Sequence, residues 1–233
     1  MAGYHATEDR MSTALVLDIE CRADVEFLTR NDDLLFRDIR APANYKDEQK
    51  IRDYIAAERA KIIEKAALSP LLGRVVAIGM AELNSDFEIE EEPVVIASED
   101  EKSVLTEFCI AAAKHNRIVW AGFNIREFDL PFLAMRLSVH GMRWPGHYPH
   151  RNDYLHVVDP RDIYRHNDGG GNLDMHLRAF GLPPKTADGS QVAGMTIDEV
   201  ARYCADDVIR ERLLIRRLAH LFPAVREIQE THP

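Results

Sequence analysis

The sequence is short of cysteine, of long apolar runs and of basic charge, and each shortage closes off a class of protein. Among 233 residues there are three cysteines, Cys21, Cys109 and Cys204, with no Cys-x-x-Cys pair. An odd number at wide spacing supports neither a disulfide framework nor a cysteine zinc site, so the chain reads as carrying three reduced thiols. No apolar stretch approaches the roughly 18 to 20 residues of a membrane span, and residues 1–14 lack a basic-then-apolar leader. The expectation is a cytoplasmic α/β protein with no membrane partner. Residues 1–12 read as a flexible lead-in, 13–222 as one domain and 223–233 as a tail. Lys and Arg number 29 against 39 Asp and Glu, a net charge of −10. Domains that coat long nucleic acid by electrostatics are basic, so that class is excluded. An enzyme that grips a few nucleotides at one strand end is not. Part of the acidic excess is what a metal site would contribute.

Several catalytic signatures are missing as well. There is no His-Glu-x-x-His and no Gly-x-Ser-x-Gly. Gly181-Leu182-Pro183-Pro184-Lys185-Thr186 only approximates a phosphate-cradling loop, and its prolines lack the N–H donors such a cradle needs. The histidines show no ligand spacing; His147, His150 and His156 fall in a loop and read as surface residues.

What is present is an alternation of buried strands and amphipathic helices. Ala14-Leu15-Val16-Leu17 suits a strand buried on both faces, ending in Asp18-Ile19-Glu20. Residues 45–68 read as a helix stopped by Ser69-Pro70. A strand follows over 74–81, with weaker ones at 87–89 and 94–97 around the acidic run 88–92, which reads as a solvated hairpin tip. Residues 99–115 read as a helix, 118–122 as a buried strand, and a helix begins near Glu127. Residues 144–153 read as loop, 155–158 as a strand ending at Asp159, 169–171 as a flexible glycine loop, and 173–180 as a short helix closed by Gly181. Thr196-Ile197-Asp198-Glu199 is a capping box opening a long helix to about Leu218. The whole predicts a mixed sheet flanked by helices.

Three motifs carry chemistry. Asp18 and Glu20 alternate on a strand, so both carboxylates point to one face. Two like charges about 4 Å apart repel by roughly 1 kcal/mol in water and about 4 kcal/mol at an effective dielectric of 20, which a cation or a proton between them relieves. Asp129 closes Asn124-x-x-x-Phe128-Asp129 at the start of a helix, where the dipole favours a carboxylate; helix capping accounts for it equally well. Tyr203 and Asp207, four apart on a helix, present a phenol and a carboxylate to one side, while Asp206 turns toward solvent. Each motif alone has a structural explanation. Their order and placement do not.

In that order the motifs resemble those of the DEDD exonucleases of the ribonuclease-H-like superfamily. The chain resembles the tyrosine branch (DEDDy) and, within it, the proofreading exonuclease of family B DNA polymerases, over roughly residues 14–216. Leu17-Asp18-Ile19-Glu20-Cys21 and Gly122-Phe123-Asn124 through Phe128-Asp129-Leu130-Pro131-Phe132-Leu133 carry the likeness most closely. The sibling branch has a histidine where Arg202 stands, so Tyr203 selects the tyrosine branch. The resemblance implies a ribonuclease-H-like mixed β-sheet flanked by α-helices. It also implies a metal-dependent 3′–5′ exonuclease releasing nucleoside 5′-monophosphates. Carried over motif by motif, Asp18, Glu20, Asp129 and Asp207 would bind two divalent cations, Mg²⁺ or Mn²⁺, that clamp the scissile phosphate. Tyr203 would orient the attacking water, and Asn124 and Phe128 would meet the terminal nucleotide, with helix packing an equal alternative for Phe128. Arg126, Arg136, Arg161, Arg165 and Lys185 are scattered candidates for phosphate contacts. The implied partner is a nucleic acid with a 3′ end, single-stranded DNA before RNA; a protein partner stays open. A catalytically silent scaffold with the same fold and an RNA-processing exonuclease are the alternatives. No polymerase domain is expected after the last motif, and the stretch 45–68 exceeds a minimal core and reads as a shaper of the substrate groove or as an interface.

Overall fold

The first strand, β1 (Thr13–Ala23), alternates its side chains between two apolar layers. Ala14 and Val16 join one core cluster, Leu15, Leu17 and Ile19 the other, as the two-residue period of a strand requires. The computed structural model describes residues 13–84, 86–89, 91–115, 117–150, 152–164, 171–187 and 189–222. The expected lead-in 1–12 and tail 223–233, together with Arg165, Gly169 and Gly170, lie outside these.

After β1 come α1 (Val25–Arg30), α2 (Asp32–Leu35), α3 (Glu48–Ala66), β2 (Gly73–Leu83), β3 (Val94–Ala97) and α4 (Glu101–Ala112). Then come β4 (Ile118–Ala121), α5 (Asp129–Val139), β5 (Val157–Val158), α6 (Leu173–Ala179) and α7 (Ile197–Leu218), with a 3₁₀ turn at Gly189–Gly194. The strands form one mixed sheet in the order β3-β2-β1-β4-β5. β2 is antiparallel to β1 and β3, whereas β4 is parallel to β1 and β5. On one face, α7 packs Val208, Leu214, Ile215 and Leu218 over Ala14 and Val16. On the other, Val104, Leu105 and Phe108 of α4 and Leu133 and Leu137 of α5 cover Leu15, Leu17 and Ile19. Each such side chain taken fully from water contributes about 1.5–3 kcal/mol.

Two features of the sheet place its acidic residues and the helix above them. First, β4 pairs with β1 only from Thr13 to Val16, while β2 stays paired far beyond. β1 therefore runs on past its parallel neighbour, and Asp18 and Glu20 stand on that overhang, on the α7 face. Second, α7 approaches β2 closely at Gly79. A Cβ there would lie 2.8 Å from Val208 Cγ2 and 2.9 Å from Cys204 Sγ, so only glycine lets the helix settle at this distance.

Between α4 and α5 the acid Glu101 is buried but fully engaged. It accepts from Arg136 Nε at 2.9 Å and Nη2 at 2.6 Å, and from the Val75 N–H at 2.7 Å, and pairs with His140 Nε2 at 2.8 Å. This network ties both helices to β2.

Several expectations need correction. Asp18 and Glu20 lie inside an eleven-residue strand rather than at its end; the strand continues because β2 still pairs with it, with a bulge between Glu20 and Cys21. Residues 87–89 form only a bridge, Leu83 to Ile89, because Phe87 takes φ 61° to bury its ring. Glu88 is not a solvated tip residue: its carboxylate accepts from Arg212 Nη1 at 2.5 Å and pairs with Arg216. The Asn124–Phe128 stretch is a turn, and α5 starts at Asp129. The short α1 and α2 and the 3₁₀ turn have no counterpart in the sequence reading. No helix among the described residues is long and apolar enough to cross a membrane.

Candidate metal and nuclease centre

Where β4 stops, the backbone N–H of Ile19 is left without a strand partner, and buried N–H groups are rarely left so. Asp129 takes it: Oδ1 accepts from Ile19 N at 3.1 Å. The first residue of α5 is thus fixed between Asp18 and Glu20. From the opposite side, α7 brings Asp207. Asp18, Glu20 and Asp207 each offer a carboxylate oxygen, and these lie within 4.8 Å of one another. Asp129 is outside that tight group but close enough for its charge to act on both Asp18 and Glu20.

The electrostatics are those of a crowded acid site. Burial, and then Glu20, Glu211, Asp207 and Asp129, push the Asp18 carboxyl well above its ordinary range, although Asp18 itself is only half-buried by area. Burial and Asp207 do the same to Glu20, with Lys185 opposing. Burial raises Asp129 to about 7 against the lowering hydrogen bond from Ile19. Asp207 is also raised by burial, opposed chiefly by Lys185. A folded chain tolerates such a cluster when protons or cations share it.

Tyr203 lies one turn before Asp207, as its spacing predicted. Its hydroxyl is buried and has no partner at full hydrogen-bond geometry, though Asp207 lies near enough to attract its proton weakly. Burial first, and then Asp207 and Glu20, push the phenol far up, so it stays protonated and acts as a donor. Gly189 lies beside it, where an added Cβ would make an ordinary contact with the Tyr203 hydroxyl at 3.8 Å. Arg22 holds that 3₁₀ turn to β1, donating from Nε to the Val192 carbonyl at 3.1 Å and from Nη2 to the Met195 carbonyl at 2.5 Å. An open groove of about 470 Å³, lined by Thr186, Met195, Arg202, Tyr203, Asp206 and Ile209, runs along α7 and shares Tyr203 with the acids. Asp206 turns away from the cluster, accepting from Thr186 and pairing with Arg210.

Asn124 and Phe128 are not drawn into the acidic group. Asn124 sits at φ 64°, a conformation asparagine tolerates, with its Oδ1 accepting from Arg161 Nη1 at 2.9 Å. Its N–H donates to buried Asp159 at 2.9 Å. Phe128 packs on Phe132, ring centroids 5.4 Å apart, at the edge of the core. Of the scattered cations, Arg136 is spent on Glu101 and Arg126 on Asp162 and the Asp153 and Val157 carbonyls. Arg161 holds Asn124.

Two residues of the site escaped the sequence reading in their actual roles. Lys185, named only among candidate phosphate contacts, places Nζ 2.5 Å from Asp207 Oδ2 and 4.9 Å from the Tyr203 ring centroid. Glu211 was not singled out. It is buried one turn beyond Asp207 and accepts from the Phe123 N–H, while its Oε2 has no partner. The signal was available: Tyr203, Asp207 and Glu211 repeat every four residues along one helical face.

The donor set is carboxylate oxygen throughout, with an orphaned Glu211 Oε2 and an orphaned Tyr203 hydroxyl beside it. That chemistry fits hard divalent cations and does not fit a thiolate or imidazole metal.

The comparisons with known proteins bear on the fold and on the family. Solved structures share the fold. One is the family B DNA polymerase from the hyperthermophilic archaeon Pyrobaculum calidifontis, with TM-score 0.55, 18% identity, 89% of this chain and 24% of that one. Another is an exonuclease I in complex with inhibitor BCBP, with TM-score 0.52, 13% identity, 96% of this chain and 44% of that one. A product-bound exonuclease I gives TM-score 0.50 at 13% identity, with 95% and 46% covered. The chain thus spans about a quarter of the polymerase and under half of exonuclease I. At these identities the likeness speaks for the fold, an α/β mixed five-stranded sheet of ribonuclease-H-like type. A search of the curated proteins finds no match. One family matches residues 67–231, a span that contains Asp129, Tyr203 and Asp207 and leaves β1 outside. The chain belongs to that family, described as predicted 3′–5′ exonucleases related to the exonuclease domain of PolB.

Proposed function

We propose that residues 13–222 form one exonuclease domain that hydrolyses single-stranded DNA from its 3′ end and releases nucleoside 5′-monophosphates. In this reading Asp18, Glu20, Asp129 and Asp207 hold two divalent cations, Mg²⁺ or Mn²⁺. The observation that carries it is the convergence of Asp18, Glu20 and Asp207 within 4.8 Å, with Asp129 locked to the intervening Ile19 N–H. When bound, the cations supply positive charge at the scissile phosphate and a lowered pKa for the attacking water.

The protein's own groups do the rest. Tyr203, protonated and without a partner, donates a hydrogen bond that orients the water; it does not act as the base. Lys185 supplies a positive charge beside Asp207 that a phosphate oxygen can share. Asn124, on the turn before α5, is held by Arg161 from the 3₁₀ turn Pro160–Tyr164 after β5, and the terminal nucleotide would pass here, with Phe128 behind them. DNA is the polymer proposed because the family is described by its relation to a DNA polymerase domain. A single strand is proposed because Glu20, Asp129 and Asp207 are buried, and a duplex is too wide to reach them.

The test is degradation of 3′- and 5′-labelled single-stranded and duplex DNA and RNA, with Mn²⁺ and with EDTA. The expected result is metal-dependent loss of nucleotides from the 3′ end of single-stranded DNA, abolished in Asp18→Ala and Asp207→Ala proteins that still fold. Activity surviving in both variants removes the site assignment. Preference for RNA changes the substrate, and no degradation of any substrate leaves a binding scaffold.

A further inference from the structure

The connection from α5 to β5 holds a second group of ligand-bearing side chains, of different chemistry. His147, Asp153 and His156 each offer one ligand atom, and these atoms lie within 4.8 Å of one another. His156 Nδ1 stands 2.9 Å from both Asp153 oxygens, and His147 Nε2 stands 3.6 Å from Asp153 Oδ2. The His147 and His156 ring centroids are 5.7 Å apart, and His150 lies 6.2 Å from His147. A plain ion pair accounts for His156 and Asp153. His147 reaches the same carboxylate only as a long ion pair, from beyond hydrogen-bonding distance. Two imidazole nitrogens converging on one carboxylate, all three ligand atoms within 4.8 Å, leave room for one small cation to take the place of both ion pairs.

The loop is also built to hold these groups still. Asp153 Oδ1 accepts the N–H of Leu155 at 3.2 Å and of His156 at 3.1 Å, which fixes the carboxylate against its own turn. Arg126 Nη1 donates to the Asp153 carbonyl at 3.0 Å, and Trp144 Nε1 donates to the His147 carbonyl at 3.2 Å. Trp144 in turn packs on core Trp120, centroids 5.5 Å apart. The two ends of the chelating segment are thereby anchored, one to the core and one to Arg126.

We propose that His147, Asp153 and His156 form a second metal site, for a borderline divalent ion of the Zn²⁺ class, that fastens the loop between α5 and β5. Two imidazoles and one carboxylate are a donor set for Zn²⁺ and its neighbours, and not for Mg²⁺, which prefers oxygen ligands and water. His150, exposed and adjacent, or a water completes the coordination. The consequence for the domain runs through Arg126. Its guanidinium holds the Asp153 carbonyl, and its N–H donates to Asp159, the carboxylate that also fixes Asn124. Metal at the loop therefore stiffens the turn that carries Asn124.

The experiment uses untagged full-length protein, stripped with EDTA and exchanged into chelator-free buffer, then titrated with Zn²⁺ by calorimetry and with Co²⁺ by visible absorption. One equivalent of Zn²⁺ is expected to bind with micromolar or tighter affinity and to raise the melting temperature. The Co²⁺ spectrum is expected to show nitrogen ligation. Both are expected to persist in Asp18→Ala/Asp207→Ala protein, and affinity is expected to fall at least tenfold in His147→Ala and in His156→Ala. His147 is exposed, so His147→Ala decides the matter even where His156→Ala fails to fold. No binding at micromolar Zn²⁺, binding unchanged in His147→Ala, or binding lost with Asp18 and Asp207 overturns the proposal.

Discussion

Lys185 Nζ stands 2.5 Å from Asp207 Oδ2, so the buried acid cluster carries one positive charge of the chain's own. The loop that delivers it is tied at both sides: the Lys185 N–H donates to Asp174 Oδ1 at 2.8 Å, and the Pro184 carbonyl accepts from Arg210 Nε at 2.7 Å. An ammonium in that position competes with a divalent ion for the same carboxylate. Lys185→Met is expected to bind Mn²⁺ about tenfold more tightly, the equivalent of ~1.4 kcal/mol, and to turn over more slowly because the phosphate loses a partner. A Mn²⁺ titration followed by paramagnetic resonance, beside single-turnover hydrolysis, reads both. Weaker Mn²⁺ binding in the variant would mean that Lys185 organises the site and does not compete for it.

Tyr203→Phe separates a positioning hydroxyl from a base. The hydroxyl is buried without a partner, and such burial costs about 1–3 kcal/mol. Its removal is expected to raise the metal-free melting temperature by a few degrees, since ~1 kcal/mol shifts a domain of this size by about 2–4 °C. Turnover is expected to fall roughly tenfold to a hundredfold, at or below the bottom of the 10²–10⁴ range of a general base, with Mn²⁺ affinity unchanged. Lost Mn²⁺ affinity would show that the phenol supports the metal ligands.

That Asp18 and Glu20 share one face, and Tyr203 and Asp207 another, was legible in the sequence because each pair reports a local rule. Asp18 and Glu20 follow the two-residue period of a strand, Tyr203 and Asp207 the turn of a helix, and Thr196 with Glu199 a capping box that the structure reproduces. What was not legible depends on distant pairing. Nothing local to Asp129 says that β4 stops at Val16 and frees the Ile19 N–H for it. Arg126 and Arg136 read in the sequence as candidates for phosphate contacts because their acidic partners lie 36 and 35 residues away. Lys185 and Glu211 join the site only once α7 is laid across β1.

Gly79→Ala tests how the fold sets the spacing of the acids. The added methyl would meet Val208 Cγ2 and Cys204 Sγ under 3 Å, and overpacking of this kind costs about 1–3 kcal/mol. Because Gly79 is the β2 partner of Asp18, and Cys204 Sγ lies 3.5 Å from Asp18 Oδ2, the strain falls on the site. The expected outcome is a lower melting temperature, weaker Mn²⁺ binding and slower hydrolysis, with partial recovery in Gly79→Ala/Val208→Ala. Normal Mn²⁺ affinity in the destabilised single variant would uncouple helix approach from the site.

The metal-free protein should lose stability as pH rises, against the usual behaviour of carboxylates. Asp159 is raised to about 6 and Asp129 to about 7, both chiefly by burial. Each binds its proton more tightly folded than unfolded, where the pKa is about 3.9. Their favourable contribution is therefore complete below about pH 4 and is lost as pH climbs through about 6 and 7. Glu101 and Asp153, whose pKa values are lowered, act with the opposite sign but below about pH 4.5, outside this window. Melts in EDTA from pH 5 to pH 8 should decline, and saturating Mn²⁺ should flatten or reverse the slope by favouring the ionised carboxylates. A rise with pH in EDTA contradicts the burial of these acids.

Glu211 offers the sharpest separation of stability from function. Burial first, and then Asp129 and Asp207, push its carboxyl well up, and Oε2 is left unpaired. Glu211→Gln removes the charge but keeps an oxygen for the Phe123 N–H. In EDTA near neutral pH this variant should melt a few degrees higher, because a buried carboxyl that burial and its neighbours hold neutral no longer has to take up a proton on folding. Its Mn²⁺ affinity should fall several-fold, because the cluster has lost negative charge that favours a cation. Glu211→Leu loses the acceptor as well and orphans the Phe123 N–H, at a cost of about 1–3 kcal/mol, so it should melt below Glu211→Gln. If Gln and Leu melt alike, the Phe123 hydrogen bond contributes nothing. If Gln destabilises the metal-free protein, the carboxylate is not under the repulsion that its place beside Asp207 and Asp129 implies.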